Sequence, residues 1–207
     1  MLKKLIFAFI CILGFSINLS ASTEIAVKES PELTVEFCKR NKIYCAIVKL
    51  KPGIDSKFAM DLSNAIYKYS RRAKVDPFRV VAIAMQESSI SPVVRYETVR
   101  VQKTICAREK VCVVRYVKEK RATDFGIYQF HAKTVESLGV DQKRLMADLD
   151  YATKVHTEFL ALKQKQCSAK YKKTAWTCYN SSTPNLHKAY ARKVEKHYNK
   201  IMLAAAH

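Results

Sequence analysis

Asp76-Pro77-Phe78-Arg79-Val80-Val81-Ala82-Ile83-Ala84-Met85-Gln86-Glu87-Ser88-Ser89 is the stretch on which the reading of this 207-residue chain turns. Asp76 followed by Pro77 marks a helix start. The carboxylate accepts from free N–H groups of the first turn, and proline lacks the N–H that would go unsatisfied there. Phe78, Val80, Val81, Ile83 and Ala84 supply the apolar positions, and Ser91-Pro92 ends the helix, because proline disfavours helix in the residue before it. Glu87 is the anomaly. It lies four residues past Ile83 and seven past Val80, so it continues the apolar stripe. It also falls in the last turn, where the negative end of the helix dipole disfavours a carboxylate. Desolvation acts in the same direction. Both effects raise its pKa and favour the protonated form that a general acid requires near neutral pH.

Upstream, Asp55 or Ser56 caps a helix whose apolar positions are Ile54, Phe58, Leu62, Ile66 and Tyr69, with Arg71, Arg72 and Lys74 at its C-terminal end. Residues 23–53 are mixed and end at Pro52-Gly53. Val35 to Cys38 and Tyr44 to Val48 read either as two extended pieces around a basic turn or as a short helix and a strand. Downstream, Val99, Val101, Val113, Val114, Tyr116 and Val117 are β-branched or aromatic residues set among polar ones. They predict a β-hairpin over about 93–123, with Cys106 and Cys112 flanking the turn at 107–111. Helices follow: Thr134 to Leu138 ended by Gly139, a long one opened by Asp148 or Asp150, a short apolar piece from Thr174 to Tyr179, and a last one from Pro184 to Ala205. Leu186, Tyr190, Val194, Tyr198 and Ile201 share a face of this last helix. The expected architecture is an α+β fold, mainly helical, with an inserted β-hairpin.

Composition narrows the chemistry. Four glycines leave no room for a phosphate-binding glycine loop, and no such pattern occurs. Lys and Arg number 37 against 18 acids, a net charge of +19. That field attracts polyanions. No nucleic-acid-binding signature accompanies it, so nucleic acid is not an expected partner. Anionic lipid and anionic cell-wall polymer are the other candidates, and for an exported chain the wall polymer is the expected one.

The N-terminus supports export. Met1-Leu2-Lys3-Lys4 is a short cationic start, Leu5 to Leu19 an apolar run too short for a comfortable membrane span, and Ser20-Ala21-Ser22 offers a small-residue cleavage site. Residues 1–22 are therefore expected to be a signal peptide, and the mature chain to be periplasmic or secreted, without a membrane anchor. Cys11 would leave with the signal. Six cysteines remain, an even number in an exported chain, which points to disulfides with the connectivity open. Local closure as Cys38–Cys45, Cys106–Cys112 and Cys167–Cys178 costs the least loop entropy. No CxxC occurs and the histidines do not group with the cysteines, so no metal and no cofactor is expected.

Three strings now stand in order: Glu87-Ser88-Ser89 at a helix end, Thr123-Asp124-Phe125-Gly126-Ile127-Tyr128-Gln129-Phe130, and Cys178-Tyr179-Asn180-Ser181-Ser182. Together they resemble the lysozyme-like superfamily, above all transglycosylases of the soluble lytic (SLT) type, with their Glu-Ser, Gly-(Leu/Ile)-(Met/aromatic)-Gln and Ala-Tyr-Asn. The middle string is also similar to one in animal-type lysozymes and in secretion-associated lytic transglycosylases. The resemblance covers roughly 54–198 and makes 54–207 a lysozyme-like catalytic domain. Residues 23–53 lie outside it, an extension of unread role. The last string departs from the pattern by Cys178, and the interval from Glu87 to Gly126 is longer than in compact relatives.

The resemblance implies a peptidoglycan lytic transglycosylase that cleaves the β-1,4 bond between N-acetylmuramic acid and N-acetylglucosamine, with Glu87 as general acid and base. Ser88 would orient the sugar or the acid. Gly126, Tyr128 and Gln129 would line the groove. Tyr179 would hydrogen-bond near Glu87, and Asn180 would support that turn. Asp124 sits where animal-type lysozymes keep a second carboxylate, which leaves a muramidase using Glu87 and Asp124 as the alternative. A second alternative is a non-catalytic cationic wall-binding or assembly protein. Similarity to the secretion-associated group adds a secretion or envelope complex as an expected partner.

Overall fold

The structure is a computed structural model and describes residues 33–106, 112–181 and 183–206. The expected signal peptide at 1–22 and the hairpin turn at 107–111 lie outside the described residues.

Two helices set the frame. α3 (Ser56–Ala73) and α4 (Pro77–Ser88) each begin at an aspartate whose carboxylate accepts from the backbone, Asp55 from Phe58 N and Asp76 from Phe78 N. Val80, Val81, Ala82, Ile83 and Ala84 of α4 are almost wholly shielded from water. A helix buried all round needs partners on several sides. α4 finds them in α8 (Pro184–Ala206), α3 and α2 (Lys42–Leu50), while α7 (Leu149–Tyr171) packs along α3.

The N-terminal segment corrects the sequence reading. Its pieces are neither extended nor a strand: α1 (Val35–Arg40) and α2 are both helical and are joined by the Cys38–Cys45 disulfide. Ile43, Tyr44, Cys45, Ala46 and Ile47 are buried without a break. Such a run has no periodicity to separate a buried helix from a buried strand. α2 packs on α8 and α3, so the shared core begins ahead of residue 54.

The hairpin consists of β1 (Val94–Cys106) and β2 (Cys112–Phe125), antiparallel, with Cys106 disulfide-bonded to Cys112 across from it. Its register shifts once, between Arg95 and Tyr96. At the usual rise per residue it is roughly 40 Å long. Only its base is buried, at Phe125. A two-residue strand, β3 (Phe130–His131), pairs with that base.

α5 (Ala132–Leu138) ends at Gly139, as expected, and α7 starts at Asp148, whose side chain accepts from Tyr151 N. α6 (Gln142–Ala147) was not foreseen; it is short and capped by Asp141. Thr174 to Tyr179 belongs to a 3₁₀ segment, Lys172–Tyr179, held to α7 by the Cys167–Cys178 disulfide. On α8 the buried positions are His187, Tyr190, Val194 and Ile201, whereas Leu186, expected on that face, is exposed.

Beneath the hairpin base lies an aromatic cluster. Tyr128 stacks on His156 at 3.9 Å between ring centres, and Phe130 and Tyr179 meet His156 edge-on. His156 has no exposed surface, and among the described residues neither of its ring nitrogens has a hydrogen-bond partner. Burial pushes its pKa down to about 3. The folded chain therefore refuses a proton that the unfolded chain accepts below the ordinary histidine pKa. Stability is complete above that value and declines as the pH falls toward the folded pKa. His156→Phe keeps a ring against Tyr128 and removes the titration. From pH 7 to pH 5, wild type should lose about 2 kcal/mol more than the variant in denaturant unfolding. Parallel stability curves would show that the imidazole does not titrate this way.

Candidate functional site

The last turn of α4 brings Glu87 to the hairpin base. The residue is only 8% exposed. The phenol of Tyr190, from α8, donates to Glu87 Oε1 at 2.7 Å. The Arg95 guanidinium, from β1, donates to the Glu87 backbone carbonyl and not to the carboxylate. Burial raises the Glu87 pKa above the usual glutamate value, and the nearby negative charge of Asp124 adds to this. The Tyr190 hydrogen bond and the positive charges of Arg95 and Lys193 oppose the rise without cancelling it. Tyr190 and Tyr179 are themselves pushed well above the ordinary phenol value, by burial first and then by the charge of Glu87. Both remain donors.

The chain leaves α4 by an unusual path. Ser89 and Ile90 both adopt left-handed conformations, with φ of +55° and +57°. A β-branched residue there is strained. The loop is pinned from the N-terminal segment: Lys51 Nζ donates to Ser89 O at 2.7 Å and to Ser91 Oγ at 2.8 Å. Ser88 Oγ donates to Ile127 O at 2.7 Å, which joins the helix end to the following turn.

That turn is built around Gly126, with φ of +76°. A Cβ there would sit 2.7 Å from the Leu145 carbonyl oxygen, so only glycine fits. Gln129, left-handed as well, folds its amide back over the turn. Its Nε2 donates to Gly126 O at 2.6 Å and to Val93 O at 2.9 Å. Val93 O also accepts from Gly126 N at 3.0 Å.

These elements enclose a cleft of about 340 Å3. Glu87, Arg95, Asp124, Gln129, Tyr179 and Asn180 line it, with Phe130, His131, Thr134 and Phe159. It adjoins a second hollow of about 390 Å3, which shares Thr134, Phe159, Tyr179 and Asn180 and extends to Lys163 and Gln166. The two form a groove that runs past the Glu87 carboxyl. A larger hollow, about 620 Å3, lies elsewhere between α3 and the start of α7. Its charged residues are already paired, Lys68 with Asp150 and Asp61 with Lys57. Among the described residues, no group of three His, Cys, Asp or Glu side chains could hold a metal ion.

Most sequence-predicted positions meet at this cleft, some with a different partner. Glu87, Asp124, Gln129, Tyr179 and Asn180 line it directly. Ser88 and Gly126 shape its wall. Tyr128 does not line the groove: it is 1% exposed, with its hydroxyl 3.2 Å from Thr153 Oγ1 in the core. The Tyr179 hydroxyl donates to the Tyr128 carbonyl at 2.6 Å, and the bond to Glu87 comes instead from Tyr190. Tyr190 read as one member of the α8 stripe. The available signal was its hydroxyl, which needs a partner once buried. Arg95 has no local feature that sets it apart from the other basic residues of the hairpin span, and Lys51 has no local signature because its partners are about forty residues away.

The sequence matches the transglycosylase SLT domain over residues 64–202, about two thirds of the chain. No curated protein and no solved structure matches it. Glu-Ser at a buried helix end, a glycine turn closed by a glutamine amide, and a phenol-lined groove accord with that match: the chain belongs to the transglycosylase SLT family, with the mainly helical, lysozyme-like architecture of lytic transglycosylases.

Proposed function

We propose that the protein is a peptidoglycan lytic transglycosylase acting on the β-1,4 bond between N-acetylmuramic acid and N-acetylglucosamine, with Glu87 as its general acid and base. One observation carries the reading: a shielded carboxyl, its pKa raised by burial, opens onto a groove and is gripped on one oxygen by a phenol. With Oε1 accepting from Tyr190, the other oxygen is the natural carrier of the proton. Glu87 hands that proton to the glycosidic oxygen, and the N-acetylglucosamine hydroxyl departs. The resulting carboxylate takes the proton of the muramic C6 hydroxyl, whose oxygen closes on C1 to give a 1,6-anhydro end. No water is consumed, so no second carboxylate is required.

Asp124 shares the cleft and keeps a muramidase reading open to test, because a hydrolase needs a base or nucleophile there. The described environment of Asp124 favours a positioning role. Its Oδ2 accepts from Thr123 Oγ1 at 2.8 Å, and it faces Arg95 across the hairpin base. We also propose export through residues 1–22 to the periplasm or beyond. Three disulfides suit an oxidising compartment. The likeness to secretion-associated transglycosylases makes an envelope complex the proposed setting.

Glu87→Gln should lower wall clearing by about 10²–10⁴-fold with the melting temperature unchanged, whereas Asp124→Asn should keep activity within about tenfold. Mass spectrometry of the muropeptides should find ends lighter by one water than reducing ends. Reducing ends together with a dead Asp124→Asn would establish the muramidase instead. Clearing untouched in Glu87→Gln would remove Glu87 from the mechanism, and binding without clearing by the unsubstituted chain would leave a wall-binding protein.

Tyr190→Phe gives a separate check. The lost hydrogen bond favours the carboxylate, so its removal raises the Glu87 pKa further. The alkaline limb of the pH–rate profile should move to higher pH while the maximal rate falls about tenfold from poorer positioning. An alkaline limb that stays in place would separate Tyr190 from the proton transfer.

A further inference from the structure

The hairpin extends far beyond what the cleft needs, and its register sorts its charges by face. Beyond the irregularity at Arg95/Tyr96, residues opposite one another share a face and alternate along each strand. One face carries Glu97, Lys103, Arg115, Glu119 and Arg121. Glu119 pairs there with both Lys103 and Arg121. The opposite face carries Arg100, Lys118 and Lys120, with Tyr96 and Tyr116 flanking them, and no acid from either described strand beyond that irregularity.

Arg100 and Lys118 stand directly across from each other, a like-charge arrangement that destabilises an isolated hairpin. Among the described residues no ion pair relieves either of them, or Lys120. All three are exposed, and Tyr96 and Tyr116 are 63% and 73% exposed. Aromatic rings held this far into water present an apolar platform with a polar tip. Among the described residues no other element covers the face: beyond its base the hairpin packs on itself.

We propose that this face is a docking surface for the peptidoglycan polymer outside the catalytic groove. Carboxylates of the peptide stems would bridge Arg100, Lys118 and Lys120, and the flanking tyrosines would lie against sugar. The inference rests on the wall-cleaving function proposed above. The face lies on the far side of the register irregularity from Arg95 and Asp124, and none of its five residues lines the cleft. It therefore engages wall material other than the strand being cut and tethers the enzyme to its layer. An acid-free cationic face matches a polymer with regularly spaced carboxylates, and exposed phenols match its sugars.

The test uses the full chain with Glu87→Gln, so that the wall is not consumed, sedimented with purified insoluble peptidoglycan across a range of salt. Arg100→Gln/Lys118→Gln is set against Lys103→Gln/Arg115→Gln, which removes the same charge from the other face. The first pair should weaken binding about tenfold, the sum of two exposed charge contacts, and the second less than about twofold. Amidation of the wall carboxylates should bring the unsubstituted hairpin down to the level of the first pair. Neither pair should lower the melting temperature. Equal losses for the two pairs, no loss for the first, or indifference to amidation would overturn the proposal. So would preferential binding of anionic phospholipid vesicles through the same face, which would assign it to a membrane. Wall digestion by the chain with Glu87 intact is read separately. Failure to digest combined with face-specific binding would refute the catalytic reading and leave the docking surface standing.

Discussion

The shielding of one carboxyl governs the rest of the structure. Glu87 sits at the end of a helix buried from Val80 to Ala84, and burial is the largest influence on its proton affinity. That shielding depends on α8 and on the hairpin base, because α8 brings Tyr190 and the hairpin base brings Arg95 and Asp124. A glutamate at a solvent-exposed helix end would be ionised at neutral pH and useless as a proton donor. Packing therefore acts directly on the carboxyl: the apolar residues that fill the core also raise the proton affinity of Glu87.

Several restraints converge on the three residues after the acid, Ser88, Ser89 and Ile90. Ile90 is fully buried and left-handed, a combination that costs about 1–3 kcal/mol. Lys51 holds the adjoining carbonyl, Ser88 bonds the glycine turn, and Val93 O receives both Gly126 N and Gln129 Nε2. Each bond crosses between elements far apart in sequence. The strain persists because the loop has little freedom to relax, and the site gains a fixed path for the chain away from Glu87.

How much of this was legible follows from the distance of the partners. The Asp76-Pro77 start and the position of Glu87 on its stripe depend on neighbours within a few residues, and they could be read. α2 could not be typed, because uninterrupted burial from Ile43 to Ile47 erases periodicity. The exchange of roles between Tyr179 and Tyr190 was equally out of reach. Both are tyrosines near the end of the chain, and only the packing of α8 against α4 decides which phenol meets the acid and which meets the Tyr128 carbonyl. The hairpin's existence was written in its β-branched residues. The sorting of its charges required a register, which the sequence does not state.

The strong positive charge and the raised pKa of Glu87 pull in opposite directions, and the arrangement of cations reconciles them. Arg95 and Lys193 both favour the carboxylate form of Glu87. A guanidinium placed in an ion pair with that carboxylate would hold it ionised. Arg95 instead directs its hydrogen bond to the backbone oxygen of the same residue, so it buttresses the helix end without clasping the acid. Farther out, the basic residues lie along the exposed hairpin, where solvent and salt damp their field within about 10 Å. On the proposed reading, the chain thus draws in an anionic polymer through its exposed cations while burial still raises the proton affinity of Glu87 in the groove.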